Sequence, residues 1–103
     1  MADVVTSHNP AKHRYEAHLD GQLAGFAAYE LTDRLVIFTH TEVGDAFEGH
    51  GVGSAIARFA LDDVRATGTH RVLPLCPFIK SWIARHPDYA DLVDGVAPTT
   101  SDE

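Results

Sequence analysis

Gly49-His50-Gly51-Val52-Gly53-Ser54 lies between a strand-like run that ends near Val43 and an amphipathic helical pattern that begins near Val52. Three alternating glycines leave the backbone without Cβ atoms where it turns, so that several N–H groups can converge on one point. The helix that follows adds unpaired N–H groups and the positive end of its dipole. The stretch therefore predicts an anion-binding loop.

This loop matches neither of two familiar phosphate-binding motifs. A P-loop requires a Lys after its last glycine, and none lies near Gly53. The dinucleotide fingerprint has the spacing G-x-G-x-x-G, and His70-Arg71 stand here where its acidic residue belongs. A glycine-rich turn that only starts a helix is the structural alternative. Because Glu48 and Asp45 flank the loop, a bound anion would be held by backbone rather than by side-chain charge.

Length and composition limit the possible functions. A chain of 103 residues with 45% hydrophobic content predicts one small domain with one core. The net charge of -7 argues against nucleic acid as a partner. No apolar run approaches the roughly 20 residues of a membrane span, and the first residues carry no apolar signal region, so we expect a cytoplasmic protein without a membrane partner. Cys76 is the single cysteine, which excludes an internal disulfide.

Hydrophobic alternation predicts a three-stranded antiparallel meander before the glycine loop. Its strands are Arg14 to Leu19, Leu23 to Leu31 and Leu35 to Val43. Asp20-Gly21 supplies a tight hairpin turn between the first two strands. Met1 to about Lys12 lacks this periodicity and is expected to form a mobile polar leader.

After the loop the period changes to 3.6, which predicts a helix from Val52 that Gly68 caps. A fourth strand, Arg71 to Cys76, is expected to lie parallel to the third in a right-handed crossover. A last helix begins at Pro77 and stops at Pro87.

The remaining segments set the limits of the domain. Asp88 to Val93 is expected to add a final helical turn, and Ala97 to Glu103 to be disordered, so that the core spans about residues 14–93. Pro74 lies inside the fourth predicted strand, where it cannot donate a ladder hydrogen bond. That strand is therefore either an edge strand or parts from its neighbour at this proline.

The order of three strands, glycine loop, helix, strand and helix resembles the GNAT superfamily of acyl-CoA N-acyltransferases. Members of that superfamily carry the motif R/Q-x-x-G-x-G/A between a strand and a helix. The stretch Glu48-Gly49-His50-Gly51-Val52-Gly53 supplies the two later glycines, but Glu48 replaces the usual Arg or Gln.

The chain is more similar to a subfamily of very small, YjdJ-like GNAT proteins. Three linked motifs carry this resemblance, which covers about residues 14–92. They are Phe38-Thr39-His40-Thr41-Glu42-Val43, Phe47-Glu48-Gly49-His50-Gly51-Val52-Gly53, and Leu75-Cys76-Pro77-Phe78 followed by Arg85-His86-Pro87-Asp88-Tyr89.

The resemblance implies a compact α/β GNAT-like fold, acetyl-CoA as cosubstrate, and transfer of acetyl to an amine. The pyrophosphate would lie on the amides of the glycine loop, and the pantetheine between the strands that end at Val43 and Cys76. The acceptor is a small molecule or a protein amine of unspecified identity. The residues that the resemblance assigns to the cosubstrate are Val43, Gly49, His50, Gly51, Val52, Gly53, Ser54, Cys76, Pro77 and Phe78.

Three residues are candidates for the chemistry. Cys76 precedes a helix N-terminus, which favours a thiolate, and the corresponding cysteine is the proposed active-site residue of the resembled subfamily. It would act as nucleophile or as acid to the leaving thiolate, whereas a buried small hydrophobe is the structural alternative. Glu42 and His40 share one face of a strand by period 2, so either is placed to take a proton from the amine. Polar strand residues are, however, often only solvated or hydrogen-bonded.

Other residues are weaker candidates. Tyr89 could protonate the leaving thiolate, but core packing is the more ordinary role for it, as for His86. No pair among the seven histidines has metal-ligand spacing on a predicted helix, so no metal is expected. Local cationic help for an anion would come from groups such as Arg58 or Lys80. The competing functional class is a catalytically silent acyl-CoA-binding or protein-interaction module, which the substitution at Glu48 favours.

Overall fold

The computed structural model of this chain describes residues 3–95, which form one five-stranded sheet and two α-helices. The strands follow one another in sequence order across the sheet. Each pairing among the first four strands is antiparallel, and the fifth strand is parallel to the fourth. This confirms the predicted mixed α/β fold class. The strands are β1 (Val4–Asn9), β2 (Arg14–Leu19), β3 (Gln22–Leu31), β4 (Leu35–Val43) and β5 (Arg71–Pro74).

Two α-helices and a 3-10 helix follow the antiparallel strands, and two shorter 3-10 segments, Pro10–Lys12 and Asp45–Phe47, lie in the connections before them. The α-helices and the longer 3-10 helix are α1 (Val52–Thr67), α2 (Pro77–Arg85) and Pro87–Leu92. The predicted cap of α1 is confirmed, because Gly68 adopts φ +70° and its N–H donates to the carbonyl of Val64. Within residues 3–95, neither helix combines the length and the apolar character that crossing a membrane requires.

Two predictions about the sheet were wrong. The expected mobile leader contains β1, so the antiparallel part has four strands rather than three, and the parallel strand is the fifth. The sheet core therefore begins at Val4 rather than Arg14. Strand β1 has no clear hydrophobic alternation, and its pairing with β2 holds it in the sheet. In this pairing the ring of His8 stacks on that of Tyr15 with centroids 4.3 Å apart. The expectation for Ala97 to Glu103 lies outside the described residues.

The hydrophobic core lies between α1 and one face of the sheet. The apolar stripe of α1 repeats every three to four residues and is fully buried at Ile56, Ala60 and Leu61. Small residues such as Ala17 and Ala27 let the helix approach the strands closely. Helix α2 packs beside the first turn of α1, where the Trp82 indole N–H donates to Ser54 Oγ at 2.9 Å.

A β-bulge in β4 reverses which side chains face the helices. His40 pairs with Ala28 and Phe38 pairs with Tyr29, so Thr39 is an extra residue without a partner on β3. Phe38 is fully buried toward α1, and after the bulge Thr41 takes up that side again. His40 and Glu42 consequently point to the opposite face.

This opposite face of the sheet, which we call the open face, carries Glu16, Phe26, His40 and Glu42. Side chains on the open face contact one another through a hydrogen bond and a cation–π contact. Arg14 Nε donates to Glu16 Oε2 at 2.7 Å, and the Arg14 guanidinium lies 4.7 Å from the centre of the Phe26 ring. The hydrogen bond from Arg14 holds the pKa of the Glu16 carboxyl below its usual range, although desolvation by burial opposes this effect.

We expect Glu16→Gln to lower the free energy of unfolding at pH 7 by about 1 kcal/mol. Because the folded-state pKa is depressed, the contribution of the carboxylate is fully present above its unfolded-state pKa of about 4.3 and is lost as the pH falls through the lower folded-state value. Denaturant titrations from about pH 6 to pH 3 should show a shallower decline in the variant than in the wild type. Glu30→Gln, at an exposed position on β3, is the matched control. A variant that declines as steeply as the wild type would contradict the assignment.

Candidate functional site

The candidate site lies where β4 and β5 part. Their pairing runs from Leu35 opposite Arg71 to Phe38 opposite Pro74. Beyond this point the N–H groups of Leu75 and Cys76 both donate to the carbonyl of Phe38, at 3.1 and 2.9 Å. Strand β5 therefore ends at Pro74, two residues earlier than predicted. Both alternatives for Pro74 are confirmed, since it lies in the outer strand and at the point of parting.

A cleft of about 330 Å³ opens at the end of β4, where Val43 lines it. It lies between the glycine loop, the first turn of α1 and one side of α2. Its walls combine backbone of the loop with aromatic side chains and two charged groups. The lining residues are Val43, Phe47, Glu48, Gly49, Gly51, Val52, Gly53, Ser54, Phe78, Trp82, Arg85 and His86.

The glycine loop contains two residues with positive φ. Gly49 and Gly51 adopt φ values of +86° and +75°, a region that residues with side chains rarely adopt. The first α-helical hydrogen bond beyond the loop runs from the Ala55 N–H to the Gly51 carbonyl at 3.0 Å. The amides of Val52 and Gly53 precede that bond, so they belong to the unpaired N-terminal donors of α1. Both residues line the cleft, together with Gly49 and Gly51 of the loop.

Gly53 is required for a different reason. A Cβ atom at this position would lie 2.7 Å from Cζ of Phe78, closer than packed atoms come. The absence of a side chain therefore lets the ring of α2 lie against the first turn of α1. This contact forms one wall of the cleft.

The charges of the cleft come from Glu48 and Arg85, one of each sign. The two cations expected from the sequence do not line it. Arg58 instead lies 5.3 Å from the centre of the Trp82 ring and donates to the hydroxyl of Tyr89 at 3.4 Å. Lys80 is exposed elsewhere on α2. An anion in the cleft would therefore meet Arg85 as its cationic side chain.

Cys76 lies at the N-terminal cap of α2 and is only 2% exposed. Its S–H donates to Thr41 Oγ1 at 3.0 Å, which ties α2 to the end of β4. The other two catalytic candidates, His40 and Glu42, lie on the open face with their Nε2 and Oε2 atoms 3.1 Å apart. The structure thus groups Cys76 with Thr41, and His40 with Glu42, on opposite faces of one strand end.

Seven of the ten residues assigned to the cosubstrate line the cleft. They are Val43, Gly49, Gly51, Val52, Gly53, Ser54 and Phe78, whereas His50, Cys76 and Pro77 do not line it. Sequence reasoning missed Phe47, Trp82 and Arg85. The signal for the last two was available, because Phe78, Trp82 and Arg85 have the i, i+4, i+7 spacing of one helix face.

Tyr89 and His86 have structural partners. The hydroxyl of Tyr89 donates to Asp62 Oδ1 at 2.7 Å, and this bond raises the pKa of the phenol together with its burial. His86 stacks on Trp82 with ring centroids 3.7 Å apart, and its Nδ1 lies 2.8 Å from the Trp82 carbonyl oxygen. In the part of the chain that the structure describes, no three His, Cys, Asp or Glu side chains are grouped so that they could hold a metal ion.

Comparison with known proteins identifies the family of the chain. The family model described as GCN5-related N-acetyl-transferase matches residues 14–92, and the chain therefore belongs to that family. The fold is similar to the NMR solution structure of a GCN5-like protein from Staphylococcus aureus, with a TM-score of 0.68, 17% sequence identity and coverage of 100% of both chains. No curated protein sequence matches the chain.

The contact between Gly53 and Phe78 can be measured with a double-mutant cycle. In the wild-type protein, Gly53→Ala combines a gain in helix propensity of about 1 kcal/mol with a steric cost of about 1–3 kcal/mol. With Phe78→Ala the steric cost disappears, so the same substitution should become stabilising. We expect a coupling of about 1–2 kcal/mol in denaturant unfolding. Additive effects of the two substitutions would show that the ring does not constrain Gly53.

Proposed function

We propose that this chain binds acetyl-CoA in the cleft and transfers the acetyl group to an amine. The observation that carries the proposal is the coincidence of two features at one place. The glycine loop of the family motif lines the cleft, and so does Val43, which lies on β4 beyond its last pair with β5. An anion-binding loop next to an unpaired strand end suits a cosubstrate with a pyrophosphate and an extended amide-containing arm.

The residues of the cleft fit such a cosubstrate. The N-terminal amides of α1 are donors for the pyrophosphate oxygens, and Arg85 adds one positive charge. Within residues 3–95, the stretch from Thr41 to Val43 has no strand partner on the β5 side, which leaves backbone groups for an extended amide arm. Phe78 and Val43 add apolar surface. Acetyl-CoA supplies the acyl group activated as a thioester.

His40 and Glu42 are the residues that we assign to proton transfer. An aliphatic amine is protonated near neutral pH and must lose a proton before its nitrogen can form a bond. The two side chains are more than half exposed, at 57% and 65%, so they are accessible to an acceptor or to a bridging water. They act at the end of the same strand whose other face carries Thr41 and Cys76.

We assign Cys76 a supporting role in direct transfer. A nucleophilic thiol needs access to the acyl carbon, whereas the Cys76 side chain is almost completely buried and already donates to Thr41. Its hydrogen bond fixes the end of β4 against α2. Cys76 therefore positions the strand end at which the thioester is presented.

A second candidate function is a catalytically silent acyl-CoA-binding module. It is favoured by Glu48, which lines the cleft and brings a negative charge close to the expected pyrophosphate. Incubation with acetyl-CoA and a panel of amines, followed by detection of free thiol, separates the two functions. Binding without any thiol release above the hydrolytic background would favour the silent module.

The binding proposal predicts that acetyl-CoA raises the thermal midpoint of the wild-type protein. At a concentration of about 100 times Kd the stabilisation is about 2.7 kcal/mol. We expect Gly51→Val to abolish this rise, because a β-branched residue cannot hold the positive φ that directs the loop amides. Thermal denaturation with and without acetyl-CoA provides the measurement.

Gly68→Val is the matched control for this substitution. Gly68 has φ +70°, close to that of Gly51, and at both positions a Cβ atom would meet nothing within 4 Å. Both variants therefore carry similar backbone strain, but Gly68 lies at the far end of α1 from the cleft. Gly68→Val should lower the stability of the protein, but acetyl-CoA should still raise its thermal midpoint. Equal shifts in the two variants would contradict the loop assignment.

The positioning role predicts that Cys76→Ala lowers kcat several-fold and leaves the Kd for acetyl-CoA within about twofold. Cys76→Ser, which keeps a donor for Thr41, should retain more activity than Cys76→Ala. Intact mass after incubation of the wild type with acetyl-CoA alone should show no adduct that neutral hydroxylamine removes. An acetylated Cys76 would establish a nucleophile instead, and full turnover of Cys76→Ala would return the residue to a purely structural role.

A further inference from the structure

Trp82 connects helix α2 to the first turn of α1 at the wall of the cleft. It lines the cleft although the residue is only 1% exposed. The ring of His86 stacks on the indole with centroids 3.7 Å apart and an interplanar angle of 13°. The guanidinium of Arg58 lies 5.3 Å from the centre of the indole ring. These contacts fix the plane of the indole, and the plane sets the direction in which its N–H points.

The acceptor of this N–H is Ser54 Oγ, at 2.9 Å. An indole N–H can only donate a hydrogen bond, so the Ser54 oxygen supplies a lone pair and its own proton points elsewhere. Within residues 3–95 the Ser54 side chain has no other hydrogen-bond partner. Ser54 is exposed and lines the cleft. Its hydroxyl proton is therefore available to a molecule that binds there.

Backbone donors lie beside this hydroxyl. Ser54 is the third residue of α1. Its N–H and that of Gly53 precede the first α-helical hydrogen bond, which the Ala55 N–H donates, so both belong to the unpaired N-terminal donors. The first turn of α1 thus combines these amides with a side chain that the indole keeps as a donor. A ligand group that only accepts hydrogen bonds, such as an ionised phosphate, matches this arrangement.

The hydroxyl would have other orientations without the indole N–H. A serine side chain can rotate and present a lone pair, or it can donate to a nearby backbone carbonyl. Either orientation removes a donor from an anion in the cleft. The hydrogen bond from Trp82 fixes the side chain of Ser54 before the ligand arrives, so less conformational freedom is lost on binding.

We propose that Trp82 is a positioning residue of the cleft, whose indole N–H holds Ser54 so that the hydroxyl donates to an anionic phosphate group. This inference rests on the proposed binding of acetyl-CoA, whose pyrophosphate is that group, and it adds a buried residue of α2 to the anion site. The competing explanation is that Ser54 only satisfies the buried N–H of Trp82. In that case the two residues contribute to stability and not to anion affinity.

Inorganic pyrophosphate is the probe, because it carries the charged group without the rest of the cosubstrate. Trp82 is the single tryptophan of the chain, so its indole N–H gives one NMR signal. Titration of the isotope-labelled wild-type protein with pyrophosphate should shift this signal together with the backbone amides of residues 51–54, with a common Kd. At equal saturation, Ser54→Ala should reduce the indole shift at least about fivefold. Loop amides that shift while the wild-type indole signal stays in place would overturn the inference.

A double-mutant cycle tests whether Trp82 acts through Ser54. Ser54→Ala should raise the Kd for pyrophosphate about tenfold, because it removes a hydrogen bond to a charged group. Trp82→Phe keeps an aromatic ring but removes the donor, and it should raise the Kd about threefold. In the Ser54→Ala background, Trp82→Phe should leave the Kd unchanged. Additive effects of the two substitutions would overturn the positioning role.

Two control variants separate positioning from general effects on packing. Ser54→Thr keeps a hydroxyl and should bind pyrophosphate with a Kd within about threefold of the wild-type value. Tyr89→Phe removes a hydroxyl that donates to Asp62, from a ring whose centroid lies 5.2 Å from that of Trp82. It should leave the Kd within about twofold, because this hydroxyl does not contact Ser54. A Ser54→Ala protein that loses stability but keeps the wild-type Kd would support the competing explanation and overturn ours.

The inference and the proposed function fail in different ways. If acetyl-CoA raises the thermal midpoint equally in the wild type and in Ser54→Ala, the positioning role is wrong and the proposed binding stands. If pyrophosphate binding depends on both residues as described, but no amine is acetylated, the positioning role stands and the proposed transferase activity is wrong.

Discussion

The carbonyl of Phe38 is the point on which the site depends. It accepts hydrogen bonds from two successive amides, those of Leu75 and Cys76, immediately after a proline that has no N–H to donate. A regular parallel ladder cannot continue past such an arrangement, because the next donors of β5 have already been used. The chain turns into α2 instead, and the end of β4 is left with a free side. The cleft and the orientation of α2 both follow from this parting.

Much of the fold could be predicted from the sequence, because its signals are local. The change from period 2 to period 3.6 at Val52 located the glycine loop, and Gly68 marked the end of α1. Strand β1 was not predictable in the same way. It contributes few apolar side chains of its own, and it is held by pairing to β2 and by the stacking of His8 on Tyr15. Those contacts join residues of two different strands, and the periodicity within one strand gives no information about them.

The sequence predicted the backbone conformation of the glycines in the candidate site better than it predicted the directions of the side chains. Glycine spacing reports backbone conformation directly, and Gly49 and Gly51 do adopt positive φ. Period 2 placed His40 and Glu42 together, as the structure has them, but it could not tell that the bulge at Thr39 turns them away from Cys76. A bulge depends on how two strands pair. The residue type of Thr39 and the sequence around it do not indicate a bulge.

The sequential order of the strands has a consequence for folding. Three of the four strand pairings join strands that are consecutive in the chain through short connections, so their loop-closure entropy is small. Only the pairing of β4 with β5 must wait for the whole of α1 to cross over the sheet. Pairings with large sequence separation form late, and elements with few paired residues open first. Strand β5 pairs with β4 through four residues, so β5 belongs to the least cooperative part of the sheet. We therefore expect its amides to exchange with solvent sooner than those of the hairpins.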